Sequence, residues 1–313
     1  DLGRIDKIAV LSLKGRVALT WASPLFNPNR DNARWQAAYD ANKVAVEFAQ
    51  VNGKGLYDDF GNIWNDELNK EVIMVRRFHN PGGTYFVGGR RPLIYSKDDA
   101  GVDQPSLELV DAFPMKDGSA FDSSNGYLTF SQDRDSRFYA TVAYNGSDMN
   151  LADMREQNAF LWTYWTKDGS TEASHPSATG FYTQKGQDLD VTKSTVYDAA
   201  VDWVEIRLAE ILMNMGEAAN EIGKAEEALG VLFQIRDRAK IEAGTNNKYG
   251  ITASTKEEIR EAYFNERFVE FAMEGQRWFD IRRLRKFDHL NAIGKRHGLK
   301  WSLKDGEVGP GGK

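Results

Sequence analysis

The chain contains no cysteine. Disulfides, thiol nucleophiles, redox pairs and zinc ribbons are therefore excluded together, and the fold must be held by packing, hydrogen bonds and ion pairs. Histidine is scarce: His79, His175, His289 and His297 are scattered, and the last two stand on either side of Gly294. Without a His-Glu-x-x-His pair, or a glycine-rich loop ending in Lys-Ser/Thr, neither a metal centre nor a cofactor is expected. Asp133 and Asp135 lack the glycine and later ligands of a calcium loop and read as a polar turn. No apolar run approaches the roughly 18 residues that span a bilayer. Positive charge is also short: the net charge of −6 and pI near 5.4 give no global field for nucleic acid or an anionic leaflet, and favour a neutral ligand. The chain opens at Asp1 without the basic stretch, apolar core and cleavage site of an export signal, as expected of a processed chain or a fragment.

What is present is the composition of a globular protein, 41% hydrophobic and 27% charged, in a chain long enough for one large domain or two ordinary ones. Aromatic residues are abundant, with 8 Trp, 12 Tyr and 17 Phe, so their placement decides how many serve a core and how many are free for a ligand.

Three textures follow one another. Residues 1–51 read as a helical hairpin: a helix from Ile5 to Ala22, with Ile8, Leu11, Val17 and Trp21 near a helical period, ends at Ser23-Pro24, and a second runs from Asn32 to Val51 with Gly53 just beyond. Residues 52–201 are rich in Gly, Asp, Ser and Asn, with short apolar runs at 71–75 and 138–142 that read as strands between long loops, a pattern that is usually functional. From Asp202 the helical period returns. Leu208, Ile211, Leu212, Met215 and Ala219 form one stripe, Gly223 breaks it, and Ala228, Leu229, Leu232 and Ile235 form another, followed by helices from Lys256 and from Arg277. Small residues such as Gly216, Ala219 and Ala228 let paired helices approach closely, as in tetratricopeptide-like hairpins that bury one face only by stacking on a neighbour. The expected fold class is mainly α, with helical hairpins plus a loop-rich region in regions 1–51, 52–201 and 202–313 of one compact unit.

Particular residues in the last region carry a resemblance. Residues 207–212 (Arg-Leu-Ala-Glu-Ile-Leu), Gly216-Glu217-Ala218, 234–239, Asn265-Glu266-Arg267 and 274–283 closely resemble the SusD/RagB family of outer-membrane nutrient-binding lipoproteins. Upstream, Gly15-Arg16-Val17, Ala22 to Asn27, Asn69 to Ile73, Leu109 to Phe113 and Arg137 to Ala140 follow in the family's order. The resemblance implies a non-catalytic protein that captures oligosaccharides at the cell surface and passes them to a SusC-like TonB-dependent transporter, with no nucleic-acid partner and membrane attachment only through a lipid anchor absent from this chain. Family members carry further helical repeats at the N-terminal side, so this sequence resembles a C-terminal portion. A peptide-binding helical scaffold and a glycosidase are the alternatives; no pair of carboxylates stands out for hydrolysis.

Candidate ligand residues are aromatics and arginines in the polar middle region, because sugar rings stack on aromatic faces while their hydroxyls seek hydrogen-bond partners. They are Tyr85, Phe86, Arg90, Arg91 and Tyr95 in one glycine-rich loop, Phe121 and Tyr127 in another, and Trp162, Tyr164 and Trp165, where alternation sets Phe160, Trp162 and Tyr164 opposite Trp165. The conspicuous Arg277-Trp278-Phe279-Asp280-Ile281-Arg282-Arg283 run reads as packing and salt bridges on a helix, and Glu266 and Arg267 as marks of the fold.

Overall fold

The computed structural model describes residues 4–85, 87–97, 101–172, 175–304, 307 and 309. In chain order the regular elements are α1 (Lys7–Ala22), α2 (Asn32–Val51), β1 (Val72–Arg76), α3 (Leu107–Ala112), α4 (Ser136–Thr141), β2 (Val142–Ala143), α5 (Ala152–Gln157), β3 (Tyr164–Thr166), β4 (Gly169–Ser170) and β5 (Tyr182–Thr183). They continue with β6 (Trp203–Arg207), α6 (Leu208–Glu221), α7 (Ala225–Arg238), α8 (Lys256–Glu270), α9 (Gln276–Arg283), α10 (Phe287–Ile293) and β7 (Trp301–Ser302). Helix outweighs strand by 43% to 8%, so the class is mainly α. No helix of the described residues is long and apolar enough to cross a membrane.

Two compact units form. The first joins the stretch ending at Arg76 to Asp111–Arg137 and Val204–Gly294; the second joins Arg77–Val110 to Phe138–Trp203 and the stretch from Lys295.

In the first unit α1 packs along α2, α2 along α6, α6 along α7, and α8 against both α6 and α7. Local chemistry fixes the helix starts. The Asp6 and Asp31 carboxylates accept from the Ala9 and Ala33 amides, and Thr255 forms a capping box with Glu258. Gly223, at φ +86°, ends α6 and lets the chain reverse into α7. Where Gly216 faces α8, a Cβ would fall 1.9 Å from the Tyr263 hydroxyl oxygen, which itself donates to the Ala228 carbonyl at 2.7 Å.

Helix α1 buries a different face from the one its large residues outline. Ile8, Ala9, Ser12, Gly15, Leu19 and Ala22 turn inward, while Val17 and Trp21 are 60% and 49% exposed. Close approach to α2 is the reason: Asn42 of α2 donates to the Gly15 carbonyl at 3.1 Å, and there is no room for a Cβ there. The helix expected from Asp202 begins only at Leu208, because Trp203–Arg207 pairs with β1 and buries Val204 and Ile206 at period two. The strand expected over 138–142 is instead α4, with only Val142–Ala143 extended. Asp135 accepts from the Arg137 amide at 2.8 Å and starts that turn of helix, and a short apolar run is equally compatible with either state.

The family-like residues of the first unit are its ionic framework. Asp280 accepts from Arg267 and Arg283, both at 2.9 Å, and Arg283 also clasps both oxygens of Glu217. Glu266 lies 2.8 Å from Arg236 and 2.7 Å from Arg137. All but Arg236 are buried, as expected of packing residues. Trp278 remains 53% exposed and meets Phe287 edge-on at 6.0 Å.

Candidate ligand-binding site

The second unit contains the aromatic segment 160–165. Its backbone is extended into β3, which pairs antiparallel with β4 and parallel with β7, in the order β4-β3-β7. Alternation then sets the rings in a row: Phe160 and Trp162 are 6.3 Å apart, Trp162 and Tyr164 6.1 Å. The row runs from solvent to core. Phe160 is 47% exposed, Trp162 is half-buried over Gly146, and Tyr164 is 3% exposed, with Gly309 seated against its hydroxyl.

Trp165 points the other way, into an open cleft of about 300 Å³ lined by Thr163, Ser177, Gly180, Leu299 and Lys300 among others. Two chain segments meet to build it, closely enough to demand glycine. A Cβ on Gly180 would lie 2.2 Å from the Leu299 carbonyl oxygen, and one on Gly298 2.4 Å from the Thr179 Cα. The Leu299 amide donates to the Thr179 carbonyl at 2.8 Å and the Leu303 amide to the Trp165 carbonyl at 2.9 Å, so the tail is tied to both sides of the ring. The Lys300 ammonium stands 4.3 Å from the Trp165 ring centre. Ser177 is positioned from behind by Glu172, which accepts its amide at 3.3 Å as well as the Tyr182 hydroxyl. Burial pushes the Glu172 carboxyl above its ordinary range, against those two hydrogen bonds. The cleft thus offers a half-buried indole and an amine, while the Thr163 and Ser177 hydroxyls in its wall donate inward to the Gly180 and Phe181 carbonyls at 3.4 and 2.8 Å.

The remaining candidates separate into three groups. Tyr85 is half-buried in a second aromatic cluster, 5.0 Å from Phe78 and 6.4 Å from Trp203, with the Arg90 guanidinium 5.9 Å from its ring. Arg90, Arg91, Tyr95 and Tyr164 are buried, which corrects the expectation of ligand-facing side chains. Arg90 donates to the Lys185 and Gly186 carbonyls, both at 3.0 Å. Arg91 donates to Gln187 at 3.1 Å, to the Val191 carbonyl at 2.9 Å and to the Asp188 carbonyl, and burial lowers its pKa to about 10. These guanidiniums satisfy loop carbonyls that have no ladder partner. Tyr95 belongs to a small core with Met149, Leu151 and Tyr182. Phe86 lies outside the described residues.

Phe121 and Tyr127 fall in the first unit, with their rings 5.7 Å apart. Arg134 covers the Phe121 ring at 4.5 Å, and the Tyr127 hydroxyl donates to Asp111 at 2.7 Å. Asp111 lines a groove of about 810 Å³ with Arg236, Ile251, Glu257 and Asn265, whose walls carry no aromatic ring. Lys300, Phe78 and Trp203 escaped the sequence reading. Lys300 belongs to a tail that shows no periodicity, and Trp203 sits on a strand read as helix.

The sequence profile of the SusD family matches residues 70–300. This chain belongs to the SusD family. The family comprises non-catalytic binding proteins. Over 90 residues the chain is 32% identical to SusD-like protein P2 of Formosa agariphila, covering 28% of this chain and 18% of that one. A SusD-like protein from Bacteroides fragilis superposes with a TM-score of 0.72 at 25% identity, over 96% of this chain and 58% of that one. A SusD-like carbohydrate binding protein from the same organism superposes with a TM-score of 0.76 at 23% identity, over 99% and 59%. The chain thus spans under three fifths of those two structures. Their shared scaffold is the tetratricopeptide-like helical fold, and the buried landmarks of this SusD-family chain, Glu210, Glu217, Glu266, Arg267 and Asp280, belong to that scaffold and not to the cleft.

Proposed function

We propose that this chain forms the helical scaffold and a ligand platform of a cell-surface glycan-binding protein that captures oligosaccharides without cleaving them, for a TonB-dependent outer-membrane transporter to which it is bound, the whole protein being held at the membrane by a lipid anchor. The observation that carries this reading is Trp165, a half-buried indole in an open cleft beside the exposed amine of Lys300. A pyranose offers an apolar C–H face and a polar rim, and the cleft has a partner for each. Phe160 and Trp162, partly accessible on the segment leading into β3 and facing the other way, extend the aromatic surface. The description of a solved SusD-like relative as carbohydrate-binding agrees with this.

An open cleft of this size buries little ligand, so affinity on the order of micromolar to millimolar is expected. Titration calorimetry against panels of oligosaccharides and peptides, beside an assay for released sugar, tests the reading. Glycan binding without turnover supports it. Peptide binding alone, or sugar release, overturns it.

A further inference from the structure

Net charge alone favours a neutral ligand, but charge is unevenly distributed. Gly298, Leu299 and Lys300 supply one wall of the cleft, and in the surrounding stretch 295–304 Lys295, Arg296, Lys300 and Lys304 are cationic and none is acidic. All four are exposed, and among the described residues none of them forms an ion pair. His297, in the same stretch, is engaged by Glu108 at 2.7 Å. Of the described acids on these segments, Glu172 is buried and committed to Tyr182 and Ser177, Asp168, in the β3–β4 turn, is offset by the adjacent Lys167, and Glu307 is exposed, its amide bonded to the Lys304 carbonyl.

Lys300 is held by a ring, as Lys7 is by Phe48 at the same 4.3 Å. Its ammonium rests on the Trp165 ring, so its position is fixed by a quadrupole and not by a carboxylate. Its charge is therefore localised at the cleft, and among the described residues no carboxylate pairs with it. A ligand anion can meet it without displacing a protein counter-charge, which is the usual cost of competing for a salt-bridged lysine. Within the Debye length of roughly 8 Å a charge that lines the cleft, as Lys300 does, outweighs the distant charges behind the overall −6.

We propose that the glycan taken by this cleft is anionic, a chain bearing uronate or sulfate groups, with an acidic substituent seated at Lys300 and a sugar ring against the accessible part of Trp165. The inference rests on the glycan-binding reading above. A purely protective role for lysines beside the edge strand β7, discouraging strand pairing between molecules, predicts no effect on ligand binding.

The full chain is titrated with oligogalacturonate, with a sulfated galactan oligosaccharide and with neutral gluco-oligosaccharides, each at low and high sodium chloride. The expected result is binding of the uronate or the sulfated probe, or both, at least roughly fivefold tighter than the neutral one, an advantage that high salt erodes. Which acidic probe binds identifies the substituent. Lys300→Gln should remove roughly fivefold of the anionic affinity, abolish most of its salt dependence and so narrow the gap to the neutral probe. Because Lys300 is exposed, an unchanged circular dichroism spectrum accompanies that loss, and Lys304→Gln provides a second, milder variant. Equal, salt-insensitive binding of neutral and anionic probes overturns the inference and leaves the glycan reading standing. So does an unchanged anionic affinity in Lys300→Gln. Failure of every glycan, with peptide binding, overturns both.

Discussion

The guanidinium of Arg207, at the end of β6, lies 2.7 Å from the carboxylate of Glu71, 136 residues earlier, with both side chains excluded from solvent. Arg207 also reaches Glu270 and Glu274, Arg238 joins Glu71 at 3.0 Å, and Arg137 joins Glu270 at 2.9 Å. Removing one member strands a buried charge. Arg207→Met should therefore cost about 3 to 5 kcal/mol, read from the shift in urea midpoint at unchanged slope. A loss below about 1 kcal/mol would show that water replaces the missing partner.

The same network sets the response to acid. Burial would raise the Glu270 carboxyl, but Arg238, Arg207 and Arg137 outweigh it and hold its pKa well below the usual range; Arg236 and Arg137 do the same for Glu266. A carboxylate with a depressed folded pKa contributes stability that is present above its unfolded value, about 4.3, and lost as pH falls through the folded one. Urea unfolding at a series of pH values should therefore show little change from pH 7 to about 5 and a steep loss below about 4. Glu270→Gln should be less stable at neutral pH and fall less steeply in acid.

The two stripes of the α6–α7 hairpin are not equally buried. Leu212 is 4% exposed, whereas Leu229 is only partly buried at the margin of the same core. Leu212→Ala should cost about 2 to 5 kcal/mol and Leu229→Ala about 1 kcal/mol. Equal losses in thermal and urea unfolding would contradict that order.

Binding and stability should separate between Trp165 and Arg91. Trp165→Ala removes a half-buried ring at the cleft and should lower glycan affinity about tenfold with little change in thermal midpoint. Arg91→Ala strips loop carbonyls of their donors inside the second unit and should cost about 1 to 3 kcal/mol of stability. A Trp165→Ala variant that loses its thermal transition would place that ring in the core instead.

Some of this was written locally in the sequence. Asp6, Asp31 and Thr255 mark helix starts because their side chains bond amides two or three residues away, and Gly223 marks a break because only glycine readily adopts its backbone angle. The order of the hairpins and the membership of the family follow from such short-range signals in sequence. Tertiary structure alone decided which face of α1 is buried, since Gly15 faces Asn42 only once α2 has folded against it. It alone decided that Arg90 and Arg91 serve carbonyls near 185–191, whereas Lys300 comes to rest on Trp165. Residue type states what a side chain can bond. Which partner comes within a few ångströms depends on chain segments far apart in sequence, and that proximity exists only in the packed molecule.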